Sequence, residues 1–145
     1  IAYGSIYGNT ENAANILAGM LADRGVRNIA MYDVSSTHPS TMISEAFRCS
    51  HLVIASVTYN GGIFSNMEHF LMDLKAHNLQ NRTVAIMENG SWGVLSGKQM
   101  REIIGSMKNM TVLDETVTVK SALKEDQLVI LEGMADAIVR TMDQQ

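Results

Sequence analysis

The sequence predicts an α/β domain built on a doubly wound, five-stranded parallel sheet. Three observations point there. Short apolar runs alternate with segments of helical periodicity along the whole chain. The third run, His51 to Val57 (HLVIASV), is continuously apolar, as a strand covered on both faces should be. The 145 residues, 46% hydrophobic and 18% charged, suffice for one domain with helices on both sides of a sheet.

Taken in order, Ile1 to Gly4 ends the first strand. Thr10 to Arg24 is helical, with Ala14, Leu17, Ala18 and Leu21 on one face and Gly25 as its stop. If the helix opens on an ordinary capped turn, Asn9 or Thr10 is its N-cap. Asn28 to Val34 is the second strand, and Ser40 to Arg48 a short helix behind the single proline, Pro39. After the third strand, Ile63 to Ala76 reads as a helix with Ile63, Phe64, Met67, Phe70, Leu71 and Leu74 inward. Thr83 to Met87 is the fourth strand, Gly97 to Met107 the fourth helix and Thr111 to Val119 the fifth strand. Lys124 to Met142 closes the chain as a helix with Leu128, Leu131, Ala135, Ile138 and Met142 on one stripe. Short right-handed crossovers between such strands give a parallel sheet. In these sheets ligands bind beyond the carboxyl ends of the strands, where the strand order reverses.

Composition narrows the function. A net charge of −4 and no basic cluster argue against nucleic acid and anionic membranes. No signal-peptide pattern and no apolar run of membrane-spanning length is legible in these residues, so nothing in them suggests export or membrane spanning. One cysteine, Cys49, excludes an intrachain disulfide or a cysteine metal cluster; it reads as a small buried hydrophobe in a reducing, cytoplasmic protein. The eleven methionines read as core filler. The sequons at Asn81, Asn89 and Asn109 read as chance matches. The chain opens on Ile1-Ala2-Tyr3, the tail of a strand, so it is expected to be a fragment of a longer polypeptide or a chain whose start is not seen.

Three loops carry chemistry. Gly4-Ser5-Ile6-Tyr7-Gly8-Asn9-Thr10 leads straight into a helix, and backbone N–H groups at a helix N-terminus, with Ser5 and Thr10 hydroxyls, suit a phosphate. An ordinary capped turn would look the same. Thr58-Tyr59-Asn60-Gly61-Gly62 follows the third strand; its glycines permit close backbone approach and Tyr59 offers a flat face. A surface turn is the bland alternative. Glu88-Asn89-Gly90-Ser91-Trp92-Gly93 follows the fourth strand and carries the single Trp; a Trp packed on a helix or at a subunit contact is its bland alternative. G-x-G-x-x-G is absent, and Gly97-Lys98 precedes Gln99 with Trp92 at the earlier glycine position, so neither a dinucleotide fingerprint nor a P-loop is present. G-x-S-x-G is also missing, because Asn89 precedes Gly90-Ser91-Trp92-Gly93. Glu68, His69 and Asp73 read as a solvated face. Together the loops suit a flat tricyclic ring carrying one phosphate.

On these motifs the chain resembles flavodoxin, and within that fold the flavodoxin domain of flavodiiron proteins. The resembling segments are Ser5-Ile6-Tyr7-Gly8-Asn9-Thr10-Glu11; Thr58-Tyr59-Asn60-Gly61-Gly62-Ile63-Phe64 with Met67-Glu68; and Glu88-Asn89-Gly90-Ser91-Trp92 with Ser96-Gly97-Lys98. The resemblance spans nearly the whole chain and implies a short-chain flavodoxin-like sheet, strand order 2-1-3-4-5, with FMN at the switch point. It implies that Ser5, Ile6, Tyr7, Gly8, Asn9 and Thr10 hold the phosphate. Thr58, Tyr59, Asn60, Gly61 and Gly62 would take one side of the ring, and Asn89, Gly90, Ser91, Trp92 and Gly93 the other side and edge. Val57 departs from the proline frequent there, and Gly93 leaves its loop freer. The paired glycines suggest a peptide flip at Asn60-Gly61 or Gly61-Gly62 on reduction.

The same resemblance implies a di-iron domain upstream that reduces oxygen or nitric oxide, a donor such as rubredoxin, and a homodimeric parent. No acid–base or nucleophile set of the chain's own is legible. The rivals are a free-standing flavodoxin carrier and an NAD(P)H-dependent FMN quinone reductase. A receiver domain of the same shape would need acidic residues where Gly4-Ser5 and Thr58-Tyr59 stand.

Overall fold

A computed structural model describes residues 1–5, 8–59, 62–89, 96–114, 117–119 and 125–143. The elements alternate as expected: β1 (Ala2–Gly4), α1 (Asn9–Asp23), β2 (Tyr32–Asp33), α2 (Pro39–Arg48), β3 (His51–Tyr59), β4 (Gly62–Ile63), α3 (Ser65–Ala76), β5 (Thr83–Asn89), α4 (Ser96–Gly105), β6 (Thr111–Val112), β7 (Val117–Val119) and α5 (Glu125–Asp143). The sheet runs β2-β1-β3-β5-β6, with β7 also on β5 and β4 on β3. All pairs are parallel except β3 with β4. Since β6 and β7 are two pieces of the expected fifth strand, this is the order 2-1-3-4-5.

Alternating strand residues build a core on each face. On one face Ala2, Ile54, Val84 and Ile86 meet α2, α3 and α4 through Met42, Phe70, Leu71 and Met100. On the other, Val53, Ala55, Ala85 and Met87 meet α1 and α5 through Ala13, Leu17, Leu131 and Met134. β5, central to both, is buried along its whole length. Met42, Met67, Met87, Met100, Met107 and Met134 are buried, in keeping with methionine as filler. Cys49, by contrast, is only half-buried at the end of α2, with its N–H donating to the Glu45 carbonyl.

Four expectations need correction. The second strand shrinks to Tyr32–Asp33, because β1 supplies so little ladder: Tyr32 N–H bonds Ile1 O and Val34 N–H bonds Tyr3 O. The third helix starts at Ser65, not Ile63; Ile63 is extended in β4 and its N–H is taken by the Gln99 side chain. The fifth strand is interrupted, since Val112 to Val117 takes five steps where its partners Val84 to Met87 take three. On α1 the buried stripe is Thr10, Ala13, Ala14, Leu17 and Leu21, while Ala18 is only partly covered.

Candidate functional site

The sheet register sets the site. Gly4 pairs with Ser56, Ser56 with Glu88 and Glu88 with Thr118, so one row crosses four strands at their carboxyl ends. The three loops read from the sequence leave the sheet from this row or one to three residues beyond it. Between β1 and β3 the chain reverses direction across the sheet, which makes that crevice the switch point. Gly4 is closely enclosed: a Cβ there would lie 3.2 Å from Phe64 Cδ2 and 3.3 Å from Val34 Cγ2.

The turn into α1 is built by Gly8, not by a capping side chain. Gly8 has φ 83° and ψ −7°, a left-handed conformation costly for other residues, and no side chain among the described residues caps the helix. Asn9, expected as a possible cap with Thr10, is the first helical residue. Gly8 N–H donates to Ser5 Oγ at 2.9 Å, folding the loop on itself. The first turn of an α-helix has N–H groups with no intrahelical acceptor, and its dipole favours an anion there.

Thr10 is the informative residue. It is 2% exposed, because it falls on the buried stripe of α1. Its Oγ1 is a buried polar side-chain atom with no hydrogen-bond partner among the described residues. An unsatisfied buried hydroxyl costs about 1–3 kcal/mol. Its place is the first turn of α1, next to the Gly8 turn, where an anion acceptor would satisfy it. The donors described there, a hydroxyl and helix-terminal N–H groups, fit a phosphate held by hydrogen bonding. Tyr3, whose hydroxyl donates to Glu11 Oε1 at 3.3 Å, has its phenol pKa pushed up by burial and by that carboxylate.

The second loop is carried by the β3–β4 hairpin, in which Thr58 pairs with Ile63 and Tyr59 with Gly62. The side-chain direction of Gly62 is taken by α4: a Cβ there would lie 2.9 Å from Gln99 Oε1. At the third loop, Asn89 ends β5 and is 5% exposed. The neighbouring Glu88, 8% exposed, accepts from Gly97 N–H in the first turn of α4 and from the Thr118 hydroxyl at 3.0 Å. Of the expected site residues, Ser5, Gly8, Asn9, Thr10, Thr58, Tyr59, Gly62 and Asn89 thus gather at one sheet edge. Ile6, Tyr7, Asn60, Gly61, Gly90, Ser91, Trp92 and Gly93, and the expected peptide flip, lie outside the described residues. Sequence reasoning missed Gln99 and the structural part of Glu88. A polar residue in the first turns of α4 was the available signal, and nothing local marked its partner.

A cavity of 370 Å³ lies elsewhere, at the amino ends of the strands between Asn28, Ala30, His51 and Leu52. Among the described residues no three His, Cys, Asp or Glu side chains are placed to hold a metal, and no helix is long and apolar enough to cross a membrane.

The flavodoxin family profile matches residues 1–128. Rubredoxin-oxygen oxidoreductase of Megalodesulfovibrio gigas is 26% identical over 142 residues, which is 98% of this chain and 35% of that protein. The solved rubredoxin oxygen:oxidoreductase of Desulfovibrio gigas matches with a TM-score of 0.92 at 24% identity, over 99% of this chain and 35% of the other. A flavodoxin from the domain Archaea matches with a TM-score of 0.85 at 19% identity, over 98% and 96%. A flavodiiron protein from Giardia intestinalis gives 0.83 at 15% identity, over 93% and 34%. The chain spans about a third of the length of the curated relatives it matches. Profile, sheet order and switch-point loop agree: the chain belongs to the flavodoxin family.

Proposed function

We propose that residues 1–145 form an FMN-binding electron-transfer domain. The observation that carries this reading is the buried Thr10 hydroxyl at the mouth of α1, beside the Gly8 turn, which has no hydrogen-bond partner among the described residues. Flavodoxin family proteins bind FMN, and this sheet edge has the family's strand order. Ser5, Gly8, Asn9 and Thr10, with Ile6 and Tyr7, hold the phosphate. Thr58, Tyr59, Asn60, Gly61 and Gly62 take one side of the ring, and Asn89, Gly90, Ser91, Trp92 and Gly93 the other. When bound, FMN supplies one- and two-electron chemistry; the protein binds, orients and tunes it. Thr10 and the first turn of α1 anchor the anionic end, and the β3–β4 hairpin and the end of β5 set where the ring lies.

In a longer parent, the domain relays electrons to a separate di-iron domain that reduces oxygen or nitric oxide, fed by rubredoxin or a similar donor, within a homodimer. The likeness to rubredoxin-oxygen oxidoreductase and to the Giardia flavodiiron protein, each about three times as long, supports this. The second reading is a free-standing flavodoxin, favoured by the archaeal flavodoxin, 96% of which this chain covers.

The test is a titration of the purified chain with FMN, with FAD and riboflavin alongside. Tight FMN binding with a shifted visible spectrum and quenched Trp92 fluorescence is expected. A folded chain that binds no FMN overturns the reading. Electron transfer from the reduced, FMN-loaded chain to a separately produced di-iron domain then separates the two versions.

A further inference from the structure

β4, where the second loop ends, and the end of β5, where the third begins, meet at one place, the first turns of α4, and two polar side chains make the joint. Glu88, at the end of β5, reaches across to Gly97 N–H and also takes the Thr118 hydroxyl, so its buried carboxylate fixes the start of α4 against β5 and β7. Two residues on, Gln99 meets the β3–β4 hairpin instead. Its Oε1 accepts from Ile63 N–H at 3.0 Å and lies against Gly62, where a Cβ would come within 2.9 Å of it. The hairpin it touches consists of two paired rows, Thr58 with Ile63 and Tyr59 with Gly62. A ladder that short is marginal by itself and needs outside support. Ile63, 7% exposed, supplies an apolar anchor, and the Gln99 amide satisfies its N–H. The path therefore runs from β7 and β5 through Glu88 to α4, and from Gln99 to the hairpin.

We propose that Gln99 is a positioning residue for the flavin site: its side-chain carbonyl, carried on α4, holds β4, and through it the paired end of β3, at the height the ring requires. This rests on the FMN reading above. Gln99 acts through Ile63 and Gly62 and does not itself touch the cofactor. It also accounts for Gly62, whose missing side chain makes room for the Gln99 amide.

The test compares Gln99→Leu, which keeps bulk and removes the acceptor, with Gln99→Glu, which keeps an acceptor in the same place. Three quantities are read: exchange of the Ile63 amide in the FMN-free chain, the FMN dissociation constant, and the midpoint potential of the bound flavin. Gln99→Leu should speed Ile63 exchange and weaken FMN by about three- to tenfold, the size expected for one net hydrogen bond, with a displaced potential. Gln99→Glu should restore slow exchange and most of the affinity. Wild-type FMN affinity and potential in Gln99→Leu, whether or not Ile63 exchange changes, would overturn the role while leaving FMN binding intact. A wild-type chain that binds no FMN would overturn the underlying function, and this role with it. Thermal unfolding of each variant without FMN reports whether the chain stays folded; a Gln99→Glu that is folded yet binds like Gln99→Leu also overturns the role.

Discussion

Thr10 answers to two demands at once. The spacing Thr10, Ala13, Ala14, Leu17, Leu21 places it on the buried stripe of α1, while its hydroxyl asks for a partner that the described residues do not supply. Valine has the same shape without the hydroxyl. Thr10→Val should therefore leave the FMN-free chain as stable, or up to about 1 kcal/mol more stable, in urea denaturation. The same change should weaken FMN by about tenfold or more, since a hydrogen bond to a charged acceptor is lost. Unchanged FMN affinity would mean that the hydroxyl does not face the phosphate. The loop's place at the mouth of a helix was legible because glycine, hydroxyl and helix start coincide in sequence; the turn residue was not, because whether Gly8 or Asn9 turns the chain depends on a φ value that composition does not reveal. His51 poses a different residue-scale question. Its ring sits between Ser50 Oγ at 2.7 Å and Thr141 Oγ1 at 3.0 Å, and burial lowers its pKa from the ordinary 6.5. Below that value the unfolded chain takes up a proton first and so binds more protons than the folded chain. Stability must fall as pH drops through the window, and the loss is complete below the folded pKa. Denaturation midpoints should fall as the pH is lowered from about 7 into and below the ordinary histidine range, and His51→Gln should flatten that part of the profile.

At the scale of elements, the start of α4 decides more than its length suggests. A Cβ on Gly97 would lie 2.6 Å from Glu88 Cδ and closer still to Oε2, so the buried carboxylate would have to leave its two donors. Gly97→Ala should cost about 1–3 kcal/mol by chemical denaturation, as overpacking does. Gly19, exposed within α1, gives the opposite sign, because a Cβ added there would meet nothing within 4 Å. Gly19→Ala should stabilise by about 0.5–1 kcal/mol, since glycine is the poorer helix former. If both changes destabilise equally, the contact with Glu88 is not the cause. The long helices and β3 and β5 were legible because each carries a repeating apolar pattern. The short elements were not. Ile63 and Phe64 continue the apolar rhythm of α3, yet the chain is extended there, because Ile63 N–H is claimed by a side chain 36 residues away. The break between β6 and β7 likewise follows from counting against β5, which no local pattern contains.

Across the whole molecule, the sheet divides the core into two halves, with α2, α3 and α4 on one side and α1 and α5 on the other. Arg24 joins α1 to α5 by pairing with Glu132 and, at 2.8 Å, with Asp136, but this pairing is largely exposed and stabilises little. The proposed cofactor joins more: its phosphate would sit on α1, on one side of the sheet, and its ring on loops leaving β3 and β5 at the centre. Binding of that kind favours the folded state as a unit. At a free FMN concentration a hundredfold above its dissociation constant, linkage adds about 2.7 kcal/mol. In a chain of this size each kcal/mol raises the unfolding midpoint by roughly 2–4 °C, so FMN should shift it upward by about 5–11 °C. Riboflavin at the same concentration keeps the ring but lacks the phosphate, and should produce a much smaller shift. Differential scanning calorimetry with each ligand measures both. Equal shifts would show that the Thr10 turn contributes no anchoring and that the ring loops alone hold the flavin; a large gap in favour of FMN would place the main anchor at the mouth of α1.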